Sequence, residues 1–182
     1  MSRPIRHEES DAESRRGFLR QSGRIAAVSA LAGVSVPRCH AAGGDSTIRL
    51  ALVGCGGRGT GAVRDAFAAS AEPIKLHAMA DLFEHRLQGS LASLRKIAED
   101  KVDVPADRQF LGFDAYKQAI DLLRPGDIVL LTTHAAFRPL HFEYAVAKGV
   151  NVFMEKSFAP DPGGLKRMIR AGERAEKTGQ SK

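Results

Sequence analysis

The sequence predicts an α/β fold in which helices flank a doubly wound parallel sheet. Three observations predict it. Short apolar segments alternate with longer segments of helical periodicity, a glycine-rich loop follows the first apolar segment, and an acidic residue ends the second. Strands that alternate with helices form βαβ units, and the strands of such units run parallel.

The five apolar segments are predicted to be buried strands, at 48–53, 74–80, 110–111, 128–131 and 150–154. Segments with apolar residues at helical spacing lie between and after them, at 57–69, 82–98, 114–123, 137–148 and 161–177. Asp114 stands where the cap of the third helix belongs, and Gly149 closes the fourth helix. Residues 102–108 are predicted to form a polar connection.

Composition limits the classes of partner. The 182 residues carry a formal charge of +6, divided evenly between residues 1–44 and the rest. This mixed surface, with few aromatic residues and no Trp, argues against a nucleic-acid partner. No apolar segment reaches the roughly 18 to 20 residues of a spanning helix, so we expect no stable membrane anchor. The two cysteines, Cys39 and Cys55, lack the spacing of a zinc site, so we expect no metal.

The first 44 residues are predicted to be an export signal and a linker. Residues 14–20, Ser-Arg-Arg-Gly-Phe-Leu-Arg, resemble the twin-arginine signal, and an apolar stretch follows at 25–36. Cleavage is expected after Ala41 or Ala42, which would place the protein in the periplasm or outside the cell. The alternative for this segment is a disordered tail followed by a short amphipathic helix.

The glycine loop has the pattern Gly-x-Gly-x-x-Gly at Gly54, Gly56 and Gly59, directly between a predicted strand and a predicted helix. In a dinucleotide-binding Rossmann fold the first glycine allows a sharp turn and the second lets the backbone approach a pyrophosphate. The third lets helix and strand pack closely. The N-terminus of the following helix presents free N–H groups to the phosphates.

Asp81 ends the second predicted strand, where an acidic residue binds the hydroxyls of the adenosine ribose. A carboxylate there repels a 2′-phosphate, so NAD is predicted in preference to NADP. Arg86, one helical turn later, leaves NADP as the weaker alternative. Asp81 can also serve as the cap of the second helix.

Two further groups of polar residues follow the fourth and fifth predicted strands. Thr133 and His141 belong to the first group, and Glu155-Lys156-Ser157 is the second. Ligands of parallel sheets bind at the carboxyl ends of the strands. On its own, the charged pair Glu155-Lys156 is more typical of a solvated strand end.

In this order and spacing, the four features resemble the Gfo/Idh/MocA oxidoreductases, the family of glucose–fructose oxidoreductase and inositol dehydrogenase, over about residues 47–179. The resemblance implies hydride transfer between NAD and a sugar or polyol hydroxyl, with Lys156 as the catalytic residue that aids proton transfer. It also implies a set of cofactor-binding residues, namely Gly54, Gly56, Gly57, Arg58, Gly59, Asp81, Thr133, His141 and Glu155.

The sequence departs from that family at two places. His134-Ala135 replaces the prolines that usually follow the threonine, and Ser157 replaces the proline of the Glu-Lys-Pro motif. In the family that proline commonly follows a cis peptide bond, which shapes the nicotinamide pocket. Either this chain keeps the same bond before Ser157, or its pocket is altered.

Family members run to roughly twice this length and add a sixth strand and an α/β substrate domain. We therefore expect residues 45–182 to be an incomplete Rossmann domain whose C-terminal substrate domain is missing, with homo-oligomers only where that domain is present. Two alternatives to the oxidoreductase remain at this point. One is a non-catalytic dinucleotide-binding fragment, and the other is an NAD-dependent glycosidase relative of the same family.

Overall fold

The computed structural model describes residues 46–177, so the predicted export signal and its cleavage site lie outside the described residues. The described chain contains a five-stranded sheet, in which every pair of neighbouring strands is parallel. Its strands are β1 (Ile48–Val53), β2 (Ile74–Asp81), β3 (Gln109–Leu111), β4 (Ile128–Leu131) and β5 (Asn151–Met154). The predicted α/β class and all five predicted strands are confirmed.

Five α-helices connect or follow the strands: α1 (Gly57–Ala69), α2 (Glu84–Ala98), α3 (Ala115–Asp121), α4 (Arg138–Ala147) and α5 (Pro162–Lys177). The predicted helices exist, and most are shorter than predicted by one to three residues. Asp114 occupies the cap position of α3, but its side chain makes no capping hydrogen bond. Its carboxylate instead lies 2.7 Å from the Lys117 ammonium.

The sheet order is β3-β2-β1-β4-β5. The chain therefore moves outward from β1 in one direction through β2 and β3, and then returns to the other side of β1 for β4 and β5. Val53 pairs with Leu131 at the carboxyl ends of β1 and β4. At such a reversal the connections leave in opposite directions and a crevice opens between them, which is where open α/β sheets bind ligands.

Apolar side chains cover both faces of the sheet. Helices α1 and α2 contribute to one core cluster, together with alternate residues of β1 and β2 such as Leu50 and Leu76. Helices α3 and α4 contribute to the other, against Ala51 and Ala78 of the same two strands. Because successive strand residues point to opposite faces, a doubly covered strand is apolar at nearly every position. This explains the continuous apolar segments of the sequence.

The connection between α2 and β3 is more ordered than predicted. It contains two short 3-10 turns, Glu99–Lys101 and Ala106–Arg108, and Val102 forms an isolated bridge with Leu76 of β2. The register of β1 against β2 shifts at His77. His77 there contacts Arg108, whose guanidinium also pairs with Asp103 at 2.7 Å.

Near the β5 edge of the sheet, several large apolar side chains of the described residues are exposed to solvent. Strand β5 ends the sheet, and Phe153 on it is 48% exposed. Helix α5 packs on α4 through Ala171 and Ala175, whereas Leu165 and Ile169 of α5 are 47% and 52% exposed.

Candidate functional site

The glycine loop joins β1 to α1 and lies directly against the end of β4. Gly54 has φ +100°, a conformation that favours glycine. A Cβ atom on Gly54 would lie 2.7 Å from the backbone nitrogen of Thr133, closer than any real Cβ contact. The φ angle of Gly54 and the adjacent backbone of Thr133 therefore both require a glycine at this sharp turn.

Gly59 brings the first turn of α1 onto the loop. A Cβ atom there would lie 2.0 Å from the Gly54 carbonyl oxygen and 2.7 Å from Thr132 Oγ1. Around Gly56 and Gly57, in contrast, nothing lies within 4 Å of an added Cβ. The loop is thus packed tightly on its inner side and open on its outer side, where the first N–H groups of α1 face outward without a side-chain cap.

Thr132 is a site residue that the sequence analysis missed. Its hydroxyl donates a 2.6 Å hydrogen bond to the Gly54 carbonyl, and its backbone N–H donates to the Val53 carbonyl at 2.9 Å. It thereby fixes the glycine loop to β4. The available signal was a threonine immediately after a buried strand, which is a common and unspecific feature.

Asp81 lies at the end of β2 and is 9% exposed. One carboxylate oxygen accepts the backbone N–H of Cys55 at 2.6 Å, and the other accepts that of Phe83 at 2.8 Å. Helix α2 begins only at Glu84, so Asp81 caps the turn before the helix rather than the helix itself. Through these two hydrogen bonds the Asp81 carboxylate holds the glycine loop at a fixed position relative to the end of β2.

A cavity of about 200 Å³ opens beside Asp81 at the carboxyl ends of the strands. Its walls are mainly apolar and aromatic, and Thr133 and His134 also line it. Five flat rings line it, on the segments that precede α2, α3 and α4 and on α3 and α4 themselves, namely Phe83, Phe113, Tyr116, Phe137 and His141. We call this space the aromatic cavity, and the rings and apolar side chains of its lining suit a flat ring system.

His141 is buried in the wall of the aromatic cavity and is 5% exposed. Its ring stacks on Tyr116 at a centroid distance of 4.1 Å, and its Nδ1 lies 3.3 Å from the Thr133 hydroxyl. Burial, and next the positive charge of Arg138, lower the pKa of His141 to about 4. His141 is therefore a neutral hydrogen-bonding group at neutral pH.

A second cavity, of about 310 Å³, lies between the ends of β4 and β5. We call it the lysine cavity, because the exposed Lys156 lines it together with Glu155 and Arg58. Thr133 and His134 line both cavities, whereas His141 lines only the aromatic one. The structure thus brings the predicted site residues together along one edge of the sheet. Asp81 and His141 line the aromatic cavity, Arg58, Glu155 and Lys156 line the lysine cavity, and Thr133 lines both. Gly56 and Gly57 line neither cavity and border a separate open space beside the start of α1.

Arg58 and Glu155 form an ion pair across the mouth of the lysine cavity. Arg58 Nε donates to Glu155 Oε1 at 3.0 Å, and Arg58 Nη2 contacts the same oxygen. The hydrogen bond from Arg58 lowers the pKa of the Glu155 carboxyl, and the same bond raises the pKa of Arg58. Both residues were predicted to bind a cofactor directly, and in this structure each binds the other.

The peptide bond between Lys156 and Ser157 is cis. The sequence left open whether this chain keeps a cis bond before Ser157, and in the structure the bond is kept. The segment also contacts Arg138, a second site residue that the sequence analysis missed. Arg138 begins α4, is 2% exposed, and donates to the backbone carbonyls of Ser157 and Thr133.

Residues 46–177 contain no group of His, Cys, Asp and Glu side chains that could hold a metal ion. No helix in that same stretch is long and apolar enough to cross a membrane. Cys55 is a buried free thiol whose pKa is raised, chiefly by burial.

Solved structures share this fold. The myo-inositol 2-dehydrogenase of Lactobacillus plantarum superposes with a TM-score of 0.53 at 23% identity, over 70% of this chain and 33% of that one. The WlbA dehydrogenase of Bordetella pertussis, solved with NADH and UDP-GlcNAcA, gives 0.53 at 22% identity, over 74% and 36%. The aldose-aldose oxidoreductase of Caulobacter crescentus, solved with glycerol, gives 0.52 at 21%, over 71% and 36%.

No protein-family model matches the sequence, and no curated protein is significantly similar to it. At identities of 21% to 23% the structural likeness establishes the fold, which is that of a Rossmann domain. The chain spans about a third of the length of these three structures.

The packing at Gly59 predicts a large effect of one methyl group. In Gly59→Ala the new Cβ would overlap the Gly54 carbonyl, so the loop must move, and we expect a loss of about 2 kcal/mol or more in the free energy of unfolding. In Gly61→Ala, in the same helix, the new Cβ would meet only Arg58 Nη1 at 3.9 Å, an ordinary contact, and stability should rise by roughly 0.5–1 kcal/mol. Urea unfolding measures both, and equal effects would contradict the packing described.

The low pKa of His141 predicts acid sensitivity. Between pH 6.5 and pH 4 the unfolded chain takes up a proton at His141 and the folded chain does not, so stability falls as the pH falls. The loss is at most about 3 kcal/mol. His141→Gln should flatten this slope, and His77, whose pKa is also lowered mainly by burial, should account for part of the remainder. NMR titration of the His141 ring near its ordinary pKa would refute this assignment.

Proposed function

We propose that the chain is the nucleotide-binding part of an NAD-dependent oxidoreductase that acts on a sugar or polyol hydroxyl. One observation carries the proposal. The glycine loop, Asp81 and Lys156 lie along a single edge of the parallel sheet, beside the reversal between β1 and β4. The structural neighbours are dehydrogenases and oxidoreductases, and one of them is a complex with NADH, which supports the same conclusion.

The residues at this edge fit a dinucleotide. The open space around Gly56 and Gly57 leaves room for a pyrophosphate at the N-terminus of α1, where N–H groups and the helix dipole favour an anion. The aromatic cavity suits the adenine ring, and Asp81 at its edge suits the ribose hydroxyls. A 2′-phosphate would meet the Asp81 carboxylate, so we expect NAD to bind more tightly than NADP. Arg86, whose guanidinium lies 5.1 Å from the centre of the Phe83 ring, is the cation available to NADP.

The lysine cavity is then the reactive end of the site. NAD, when bound, supplies the hydride acceptor. Lys156 is the residue placed to aid proton transfer from a substrate hydroxyl: a neutral Nζ amine would accept the proton, and an Nζ ammonium would donate a hydrogen bond within a relay that carries the proton away. Glu155, held by Arg58, fixes the start of the Lys156 segment, and neutral His141 supports the Thr133 hydroxyl from behind. Both contacts keep the walls of the cavity in place.

The domain organisation is part of the proposal. Residues 1–44 are the export signal and linker, and residues 45–182 are the dinucleotide-binding domain. Substrate contacts come from a further α/β domain, because a sugar held only by the open lysine cavity would remain largely in solvent.

Cofactor binding tests the proposal. The chain should bind NADH more tightly than NADPH. Asp81→Asn should weaken NADH binding about tenfold and narrow the difference between the two cofactors, because the ribose loses a charged acceptor. Asp65→Asn is the matched control, since Asp65 is an exposed carboxylate on α1 paired with Arg64. Fluorescence titration measures both affinities, and equal effects of the two substitutions would contradict the role of Asp81.

Turnover of a panel of sugars and polyols, assayed with the protein that includes the further α/β domain, then separates the alternatives. Accumulation of NADH supports the oxidoreductase. Conversion of a glycoside without accumulation of NADH supports the glycosidase relative. NADH binding with no turnover supports a non-catalytic module.

We also propose that residues 14–20 direct export through the twin-arginine pathway. Replacing Arg15 and Arg16 together by Lys should keep a signal–reporter fusion in the cytoplasm of a bacterial host, because the pathway recognises the arginine pair. Arg20→Lys is the control, since it restores the usual residue of the motif and should leave export unchanged. Cell fractionation measures the outcome, and export of the double-lysine fusion would refute the proposal.

A further inference from the structure

Arg138 is an unusual residue for the interior of this domain. Its side chain is among the largest fully buried ones, and no carboxylate of residues 46–177 lies within salt-bridge distance of it. Its Nε is buried without a hydrogen-bond partner within the same residues. The charge of Glu155 acts on Arg138 only from beyond that distance. Burying a guanidinium without a directly paired carboxylate costs free energy that an apolar residue of similar volume would not cost. Packing alone therefore does not explain an arginine here.

The two terminal nitrogens of Arg138 show what the guanidinium does. One donates to the carbonyl of Ser157, which follows β5, and the other to the carbonyl of Thr133, which follows β4. The planar fork of an arginine can hold two acceptors in a fixed relation, which a lysine ammonium does less well. The two carbonyls belong to the two segments that line the lysine cavity.

These two hydrogen bonds lie just beyond the end of the β4–β5 ladder. The regular pairing of β4 with β5 ends where the Glu155 N–H donates to the Leu131 carbonyl at 3.1 Å. Beyond that bond the two chains separate, and the lysine cavity opens between them. Arg138 thus bridges the strand ends where ladder hydrogen bonds can no longer form, and Lys156 lies between the last ladder bond and the bridge.

We infer that Arg138 is a positioning residue for the reactive end of the site, because its bridge sets the distance between Lys156 and the β4 end. This inference rests on the proposed function, since it assigns the lysine cavity to the nicotinamide half of the cofactor. Arg138 lines the lysine cavity but not the aromatic cavity. Its loss should therefore affect the nicotinamide half and leave the adenosine half bound as before.

NADH and ADP-ribose separate the two halves, because ADP-ribose lacks only the nicotinamide ring. Arg138→Met fills the same space without a buried charge and removes both hydrogen bonds. It should weaken NADH binding about tenfold and change ADP-ribose binding less than about twofold. Arg138→Lys retains the charge, so its affinity for NADH should lie between those of the unaltered chain and Arg138→Met. Fluorescence titration for NADH and calorimetry for ADP-ribose measure these affinities.

Arg95→Met is the matched control, because Arg95 also holds a backbone carbonyl, that of Val104, on α2 away from both cavities. It should leave the ratio of the two affinities unchanged. If both Arg138 variants lose affinity equally for NADH and for ADP-ribose, the role of Arg138 is merely structural. That result would overturn the inference and leave the proposed function standing. An unchanged NADH affinity would do the same. If the unaltered chain binds neither compound, the proposed function fails and the inference fails with it.

Discussion

The close approach of the glycine loop to the end of β4 is the constraint on which the rest of the site depends. Gly54, Gly59 and Thr132 meet there with no room for another carbon atom between their backbones. Because the loop cannot move inward, α1 begins at a fixed place and its first N–H groups face outward. The aromatic and lysine cavities open to either side of the β4 end that this contact holds. Asp81 and Thr132 reinforce it from β2 and β4 by hydrogen bonds to the loop.

Much of the fold could be predicted because its signals are local. Continuous apolar segments mark strands buried on both faces, and the spacing of Gly54, Gly56 and Gly59 marks a loop between a strand and a helix. The boundaries were less accurate. Helix α2 begins at Glu84 rather than at Leu82, because the Asp81 carboxylate accepts the N–H of Phe83 and so holds residues 82 and 83 in a turn. Such a contact depends on where the strand end lies, which periodicity alone does not specify.

The parts of the site that could not be predicted are contacts between distant residues. Arg58 and Glu155 are 97 positions apart, and their pairing follows from the sheet order rather than from either local sequence. Arg138 precedes a proline at the start of a helix, where an arginine is usually solvated. Only the adjacent positions of β4 and β5 in the sheet make it a buried bridge between two carbonyls. The residues named from sequence do lie along one edge, but three of their charged groups, Arg58, Glu155 and Asp81, are already paired or hydrogen-bonded within the chain.

The wall shared by the two cavities has a consequence for any ligand that reaches both. Thr133 and His134 separate spaces of about 200 and 310 Å³, each small enough to hold only part of a larger molecule. A fragment that fits one space alone would dissociate readily. When two fragments are joined by a short linker, the second associates at a high effective concentration, so the joined molecule binds far more tightly than either part. Two adjoining cavities with a shared wall therefore select for bipartite molecules over either fragment alone.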